Sequence, residues 1–244
     1  MAGLAEPLRD AVIQFAERCD GAEAERVAVA TESGELRELE NVHPDPARHW
    51  RVSEPEWFEA LESAALVLHN HPQQEPLAYT PSVIDQRSQL CQRIPWAIIC
   101  PDGSSFVLGV RDPARELEGR GFRFGVDDCY GVFRDAWERW AGEELPNFAR
   151  RWRWWVDGEP LIERGLMHAG FHAVAAEELQ RGDAILFRLR GDVFSHIGFY
   201  LGAGMMLHHP GPARPYDPSQ LSRRESVERW LQLPHQIVRR GASA

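Results

Sequence analysis

Apolar side chains recur along this chain at two periods, and the switches between them mark out its elements. Residues 4 to 19 place Leu4, Leu8, Ala11, Val12, Phe15 and Cys19 on one helical face, and Asp20-Gly21 ends the run. Val27 and Val29 then alternate with polar or small neighbours from Arg26 to Thr31, Ser33-Gly34-Glu35 reads as a turn, and Leu36 to Val42 alternates again. Together these predict a hairpin. Ser53-Glu54-Pro55-Glu56 reads as an N-cap serine with a glutamate three residues on and a proline inside the first turn, which predicts a helix to about Ser63. A buried strand, Ala65-Leu66-Val67-Leu68, runs straight into His69-Asn70-His71-Pro72. Pro81 precedes another helix start at Ser82-Val83-Ile84-Asp85, and strands at Trp96 to Cys100 and Ser105 to Val110 flank a Pro101-Asp102-Gly103 turn.

Residues 111 to 121 are charged and poor in large apolar groups, so a domain boundary is predicted there, with domains at 1–112 and 113–244. After Cys129 the apolar positions Val132, Phe133, Ala136, Trp137 and Trp140 follow the spacing of a helix that buries one face, and Gly142 ends it. Glu143 to Gly158 is irregular and carries Trp152, Trp154 and Trp155 among Arg150, Arg151 and Arg153. Such a cluster suits a stacking platform for nucleic acid, a protein contact, or a loop folded onto its own domain at the rim of a substrate groove. Residues 161 to 169 read as a short helix, and Leu179 to Phe187 as a turn feeding a buried strand. Ser195 to Gly202 alternates as a strand with His196 near its start; after a Gly-Ala-Gly turn, Met205-Met206-Leu207 returns to His208-His209. The fold class predicted is α+β or α/β, in two small domains.

Composition narrows the functions. With 244 residues, 43% of them hydrophobic, and nine Trp, the chain can build real cores. A net charge of -10 argues against gripping nucleic acid phosphates or an anionic membrane surface. No apolar run approaches the roughly 18 residues of a membrane span, and Glu6, Arg9 and Asp10 leave no room for a signal-peptide core, so synthesis and folding in a cytoplasm are expected. Cys19, Cys91, Cys100 and Cys129 are widely spaced with no C-x-x-C pair, and all four read as reduced, the first three as buried, inert thiols.

Two constellations carry chemistry. Cys129 stands at a helix start directly after Asp127 and Asp128, either of which can cap the helix, so its thiol pKa is expected to fall near the positive end of the dipole. The competing reading is a small apolar residue packed under a helix start. The hairpin can bring His196 beside His208, giving the nucleophile, imidazole base and orienting group that acyl transfer needs, although each histidine taken singly reads as structural. His69 and His71 share a strand face and can aim both rings at one metal, with Asp85 as a third ligand. The alternative there is a polar pair at a strand end, with Ser82 and Asp85 forming only a capping box.

The order H-x-H-P then S-x-x-D, at His69, His71, Ser82 and Asp85, resembles JAMM-type zinc metallopeptidases. That resemblance implies a zinc ion (Zn2+) on His69, His71 and Asp85, a zinc-activated water as nucleophile, Ser82 helping to hold the tetrahedral intermediate, and an upstream glutamate as base, Glu25 or else Glu23. The order D-C-Y-G, Gly182-Asp183, H-I-G-F-Y-L-G and L-H-H resembles the NlpC-type, papain-like cysteine endopeptidases of bacterial cell walls over nearly all of residues 119 to 240. It implies Cys129 as nucleophile, His196 as base and His208, rather than His209, as orienting residue; Phe122 and Phe124 stand where the bacterial enzymes often carry a tyrosine. The two units in sequence, with Gln220 to Glu225 following the paired histidines, resemble tail-tip assembly proteins of long-tailed bacteriophages. This implies assembly in the host cytoplasm, residence in the virion tail tip beside other tail-tip and hub proteins, and peptidoglycan stem peptides as substrate. The alternative is a structural tail component with one or both sites vestigial.

Overall fold

The computed structural model describes residues 3–112 and 114–241. Pro113, where the sequence reading starts its second domain, lies outside them, as do residues 1–2 and 242–244. The chain divides into two units, Met1–Asp112 and Pro113–Ala244.

In the first unit the elements run α1 (Glu6–Cys19), β1 (Val27–Ala30), β2 (Leu36–Leu39), α2 (Glu54–Leu61), β3 (Leu66–Asn70), α3 (Val83–Gln92), β4 (Trp96–Ile99) and β5 (Ser105–Leu108). The strands form one sheet in the order β2-β1-β3-β4-β5, antiparallel throughout except for β3 and β4, which run parallel on either side of α3 in sequence. Strand alternation decides what each face does. Ala28, Ala30, Leu66, Leu68, Ala97 and Ile99 pack against Leu8, Ala11, Val12 and Phe15 of α1. Residues one step out of phase, His69 among them, therefore point to the opposite face. Two sequence expectations fail locally. β2 ends at Leu39 rather than Val42, and Ser53 makes no side-chain capping bond, so Pro55 in the first turn is the start signal that survives.

The second unit contains β6 (Gly121–Arg123), α4 (Cys129–Ala141), α5 (Leu161–His168), β7 (Phe171–Val174), β8 (Ala184–Phe187), β9 (His196–Gly202), β10 (Met205–His208), β11 (Tyr216–Leu221), β12 (Arg223–Ser226) and β13 (His235–Arg240). Six strands make an antiparallel sheet in the order β12-β10-β9-β8-β13-β7, while β6 and β11 pair separately. α4 lays Val132, Phe133, Ala136 and Trp137 on Ala184, Leu186, Ile197, Phe199 and Leu207. Burying a side chain such as Phe133 contributes about 1.5–3 kcal/mol, several times any propensity difference per residue, so packing on the sheet is what holds this helix. Trp140, expected on the buried face, is 46% exposed and lies over Gly182 at the edge of the contact. The other face of the sheet carries a smaller cluster of Ile185, Phe187, Met206 and Val227.

Candidate active site and metal centre

α4 starts at Cys129 because Asp128 caps it. Asp128 Oδ1 accepts from the Gly131 N–H at 2.9 Å, Oδ2 accepts from the Gly125 N–H at 2.8 Å, and the Arg150 guanidinium donates to both oxygens at 2.7–2.8 Å. Asp127, the other capping candidate, is instead paired with Arg115 at 2.8 Å. Burial alone would raise the Asp128 pKa, but Arg150 and the two backbone N–H groups outweigh it and hold the carboxyl below its usual range. The turn is too tight for a side chain at Gly131, where a Cβ would sit 2.0 Å from the Val126 carbonyl oxygen.

Cys129 is half-buried, and its thiol behaves opposite to the sequence expectation. Loss of water, and after it the Asp128 carboxylate, push the pKa up to about 12 against the pull of the Ile197 N–H, Arg150 and the Tyr130 N–H. Besides burial, the residue that caps the helix puts a negative charge where the helix end would otherwise favour a thiolate. At neutral pH the thiol keeps its proton and needs a base to take it.

Two histidines and a carboxylate line up on one face of the sheet. His208 lies opposite Gly198, and Met206 opposite both Tyr200 and Glu225, so the period of two gives His196, His208 and Glu225 a common side. His196 Nε2 is 2.7 Å from His208 Nδ1, and His208 Nε2 is 2.5 Å from Glu225 Oε1. Trp230 stacks on His196 with centroids 5.2 Å apart and meets His208 edge-on at 4.7 Å. Burial, followed by the neighbouring His208 and His209, keeps the His196 pKa well below its ordinary value; burial together with Arg223, His209 and Arg229 pushes His208 down to about 3. Burial thus disfavours the charged form of both rings. His209 points away from this line: its Nε2 bonds the Arg120 carbonyl at 2.7 Å.

Cys129 and His196 open onto one pocket walled by Phe122, Phe124, Trp152, Trp154 and Trp155, with Arg150 and Arg190 as its cations. The tryptophan-rich stretch thus folds onto its own unit and rims this groove. Cys91, expected to be buried, is exposed.

In the first unit the sequence-predicted ligands meet. His69, His71 and Asp85 are all buried, and one donor atom from each lies within 4.8 Å of the others. The two Nε2 atoms are 3.2 Å apart, with Asp85 Oδ1 3.4 Å from His69 and Oδ2 3.5 Å from His71. Burial pushes His69 down to about 4; Asp85 sits at about 2 because the two histidines and Ser82 overcome its burial. A neutral imidazole and an ionised carboxylate are the ligating forms. Ser82 Oγ accepts from the Asp85 N–H at 3.1 Å while Asp85 Oδ2 accepts from the Ser82 N–H at 2.7 Å, so the capping box and the ligand set share one carboxylate. Glu25 is buried, takes a bond from Gln73 at 3.3 Å, and is raised to about 7, chiefly by burial and against the pull of His71. No shared contact singles out Glu23, which is more exposed.

Glu225, Trp230 and the Asp128–Arg150 fork were missed from sequence. Only the position of Glu225 at the end of the Gln220 to Glu225 segment offered a signal.

Comparison with known proteins places the second unit in a family. Residues 106–232 match the NlpC/P60 family, a span that begins in β5 and takes in Cys129, His196 and His208. Tail tip assembly protein K of Escherichia phage lambda is 33% identical over 194 residues, which is 78% of this chain and 90% of that protein. Two solved structures are more loosely similar. The NlpC/P60 domain of the peptidoglycan hydrolase SagA is 17% identical with a TM-score of 0.31, covering 49% of this chain and 88% of that one. An NlpC/P60 family protein from Bacillus cereus is 14% identical with a TM-score of 0.33, covering 93% and 65%. With more than half its length matched, and with Cys129 and His196 opening on one pocket, this chain belongs to the NlpC/P60 family and is a homologue of the lambda tail tip assembly protein.

Proposed function

We propose that this protein is a phage tail-tip component whose second unit hydrolyses an amide bond in the peptide stems of bacterial peptidoglycan. The observation that carries the reading is the pocket shared by Cys129 and His196, with His196 Nε2 held 2.7 Å from His208. Because Nε2 is engaged, Nδ1 is the nitrogen left to take a proton. As the Cys129 sulfur attacks the carbonyl carbon, its proton passes to His196; the imidazolium then protonates the departing amine, leaving a thioester. Water, deprotonated by the same ring, hydrolyses the thioester and returns the thiol. His208 orients the base, and His209 has a structural role. The aromatic wall offers apolar surface to a peptide, and Arg190 at its rim offers a cation to a carboxylate.

The first unit fits a zinc ion held by His69, His71 and Asp85, which would supply Lewis-acid chemistry for a second peptidase. Around it, Asp85 is kept in place by Ser82, and Glu25, with its raised pKa, is suited to hold and release a proton near neutral pH. The partners would be other tail-tip and hub proteins, met during assembly in the host cytoplasm and retained in the virion tail.

Digestion of purified peptidoglycan tests the reading. Wild-type protein should release peptide fragments identifiable by mass, and Cys129→Ala should release none. Identical fragments from both proteins would remove Cys129 from the chemistry, and intact peptidoglycan in both would leave a structural tail role.

A further inference from the structure

The line of rings at His196 and His208 does not end at His208. β12 sets Glu225 against the far nitrogen of that ring at 2.5 Å, and the carboxylate is itself ion-paired with Arg229 and, at 3.4 Å, with Arg223. A carboxylate held by two arginines is an acceptor only. It therefore takes the Nε2–H of His208. In a neutral ring the other nitrogen, Nδ1, then has no proton and can only accept, so His196 must present Nε2–H to it. That leaves His196 Nδ1 unprotonated, the form a base needs. Each step follows from the one before, because a neutral imidazole carries one N–H and the nitrogen that bears it is set by the partner of the other.

We propose that Glu225 is a positioning residue that fixes the tautomers of both His208 and His196, and thereby selects Nδ1 of His196 as the proton acceptor. This deepens the hydrolase reading and rests on it for its catalytic consequence. Without Glu225, His208 can carry its proton on either nitrogen. In the fraction with Nδ1–H, His208 meets His196 as a donor, and the base nitrogen is then the one turned away from the thiol. Glu225 never touches substrate, so its loss should lower kcat and leave KM in place.

The test combines ring-nitrogen NMR with turnover. In wild-type protein both histidines should show the Nε2–H tautomer. Glu225→Leu should give mixed tautomers at both rings and reduce kcat roughly 10- to 100-fold, the scale of loss for groups that orient a functional imidazole, with KM within about twofold. Glu225→Gln keeps an acceptor oxygen and should restore the tautomers and most of kcat. A wild-type His208 protonated at Nδ1, or a folded Glu225→Leu protein with both Nε2–H tautomers and normal kcat, would overturn the proposal. Wild-type protein that shows both Nε2–H tautomers yet leaves peptidoglycan intact would bear out the assignment of Glu225 and overturn the hydrolase reading instead.

Discussion

The Cys129 thiol has a raised pKa, first because the thiol is shut away from water and then because Asp128, its neighbour in sequence, fixes the helix start with a negative charge. With its pKa raised to about 12, the thiol is overwhelmingly protonated at pH 7. Under the proposed hydrolase reading the nucleophile is therefore made in the act of attack, by transfer to His196, whose charged form burial disfavours. Alkylation reads this directly. In a Cys91→Ser background, which removes the exposed thiol, the rate of Cys129 with iodoacetamide should climb about tenfold per pH unit from pH 6 to 9 and show no plateau, since the thiolate fraction grows by that factor below its pKa. A plateau beginning below pH 7 would mean a thiolate–imidazolium pair already exists before substrate arrives.

At the scale of elements, α4 depends on one missing side chain. Gly131→Ala would drive a methyl to 2.0 Å from the Val126 carbonyl, and backbone on that side cannot swing away as a side chain would. The variant should lose about 1–3 kcal/mol in urea denaturation and most of its turnover, because the residues that must shift also hold Cys129. An unchanged unfolding curve would show that the turn has room. The elements legible in the sequence are those with an apolar pattern or a start signal of their own: α1, the β1–β2 hairpin, α2, β3, α3 with its capping box, β4, β5, α4, α5, β8, and the hairpin of β9 and β10. β6, β7, β11, β12 and β13 were not legible. Tyr216-Asp217-Pro218-Ser219-Gln220-Leu221 contains a proline, Arg223 to Ser226 has no apolar residue, and His235 to Arg240 has only Ile237 and Val238. β12 and β13 are placed by their ladders with β10 and β8, while β7 pairs with β13 and β11 with the short β6, tertiary effects that local pattern does not carry. The candidate site divides in the same way. His69, His71, Asp85, Cys129, His196 and His208 stand in recognisable local orders, whereas Glu225 reaches His208 only because β12 pairs with β10, and Arg150 reaches Asp128 across 22 residues.

In the whole molecule the two candidate sites belong to separate units, and the residues of each are drawn from one unit alone. Fragments 1–112 and 113–244 should therefore divide the properties. The first should bind about one equivalent of zinc, lost on His71→Ala, and the second should keep whatever peptidoglycan digestion the full chain has. Metal analysis and mass analysis of digests check both halves; zinc following the second fragment, or an unfolded second fragment, would contradict the division. No helix among the described residues is long and apolar enough to cross a membrane.

The irregular stretch between α4 and α5 is fastened to α4 at three points. Tyr130 donates to the Pro146 carbonyl at 2.8 Å, Arg134 to the Leu145 carbonyl at 2.9 Å, and Arg150 to Asp128. Ordering such a segment costs roughly 1–2 kcal/mol per residue, and here the cost is met when the chain folds. Trp152, Trp154 and Trp155 follow the last fastening directly, so the aromatic wall is built with the fold. Under the proposed reading, a peptide entering this pocket would meet a preformed surface, and its affinity would not be taxed by the entropy of ordering this stretch.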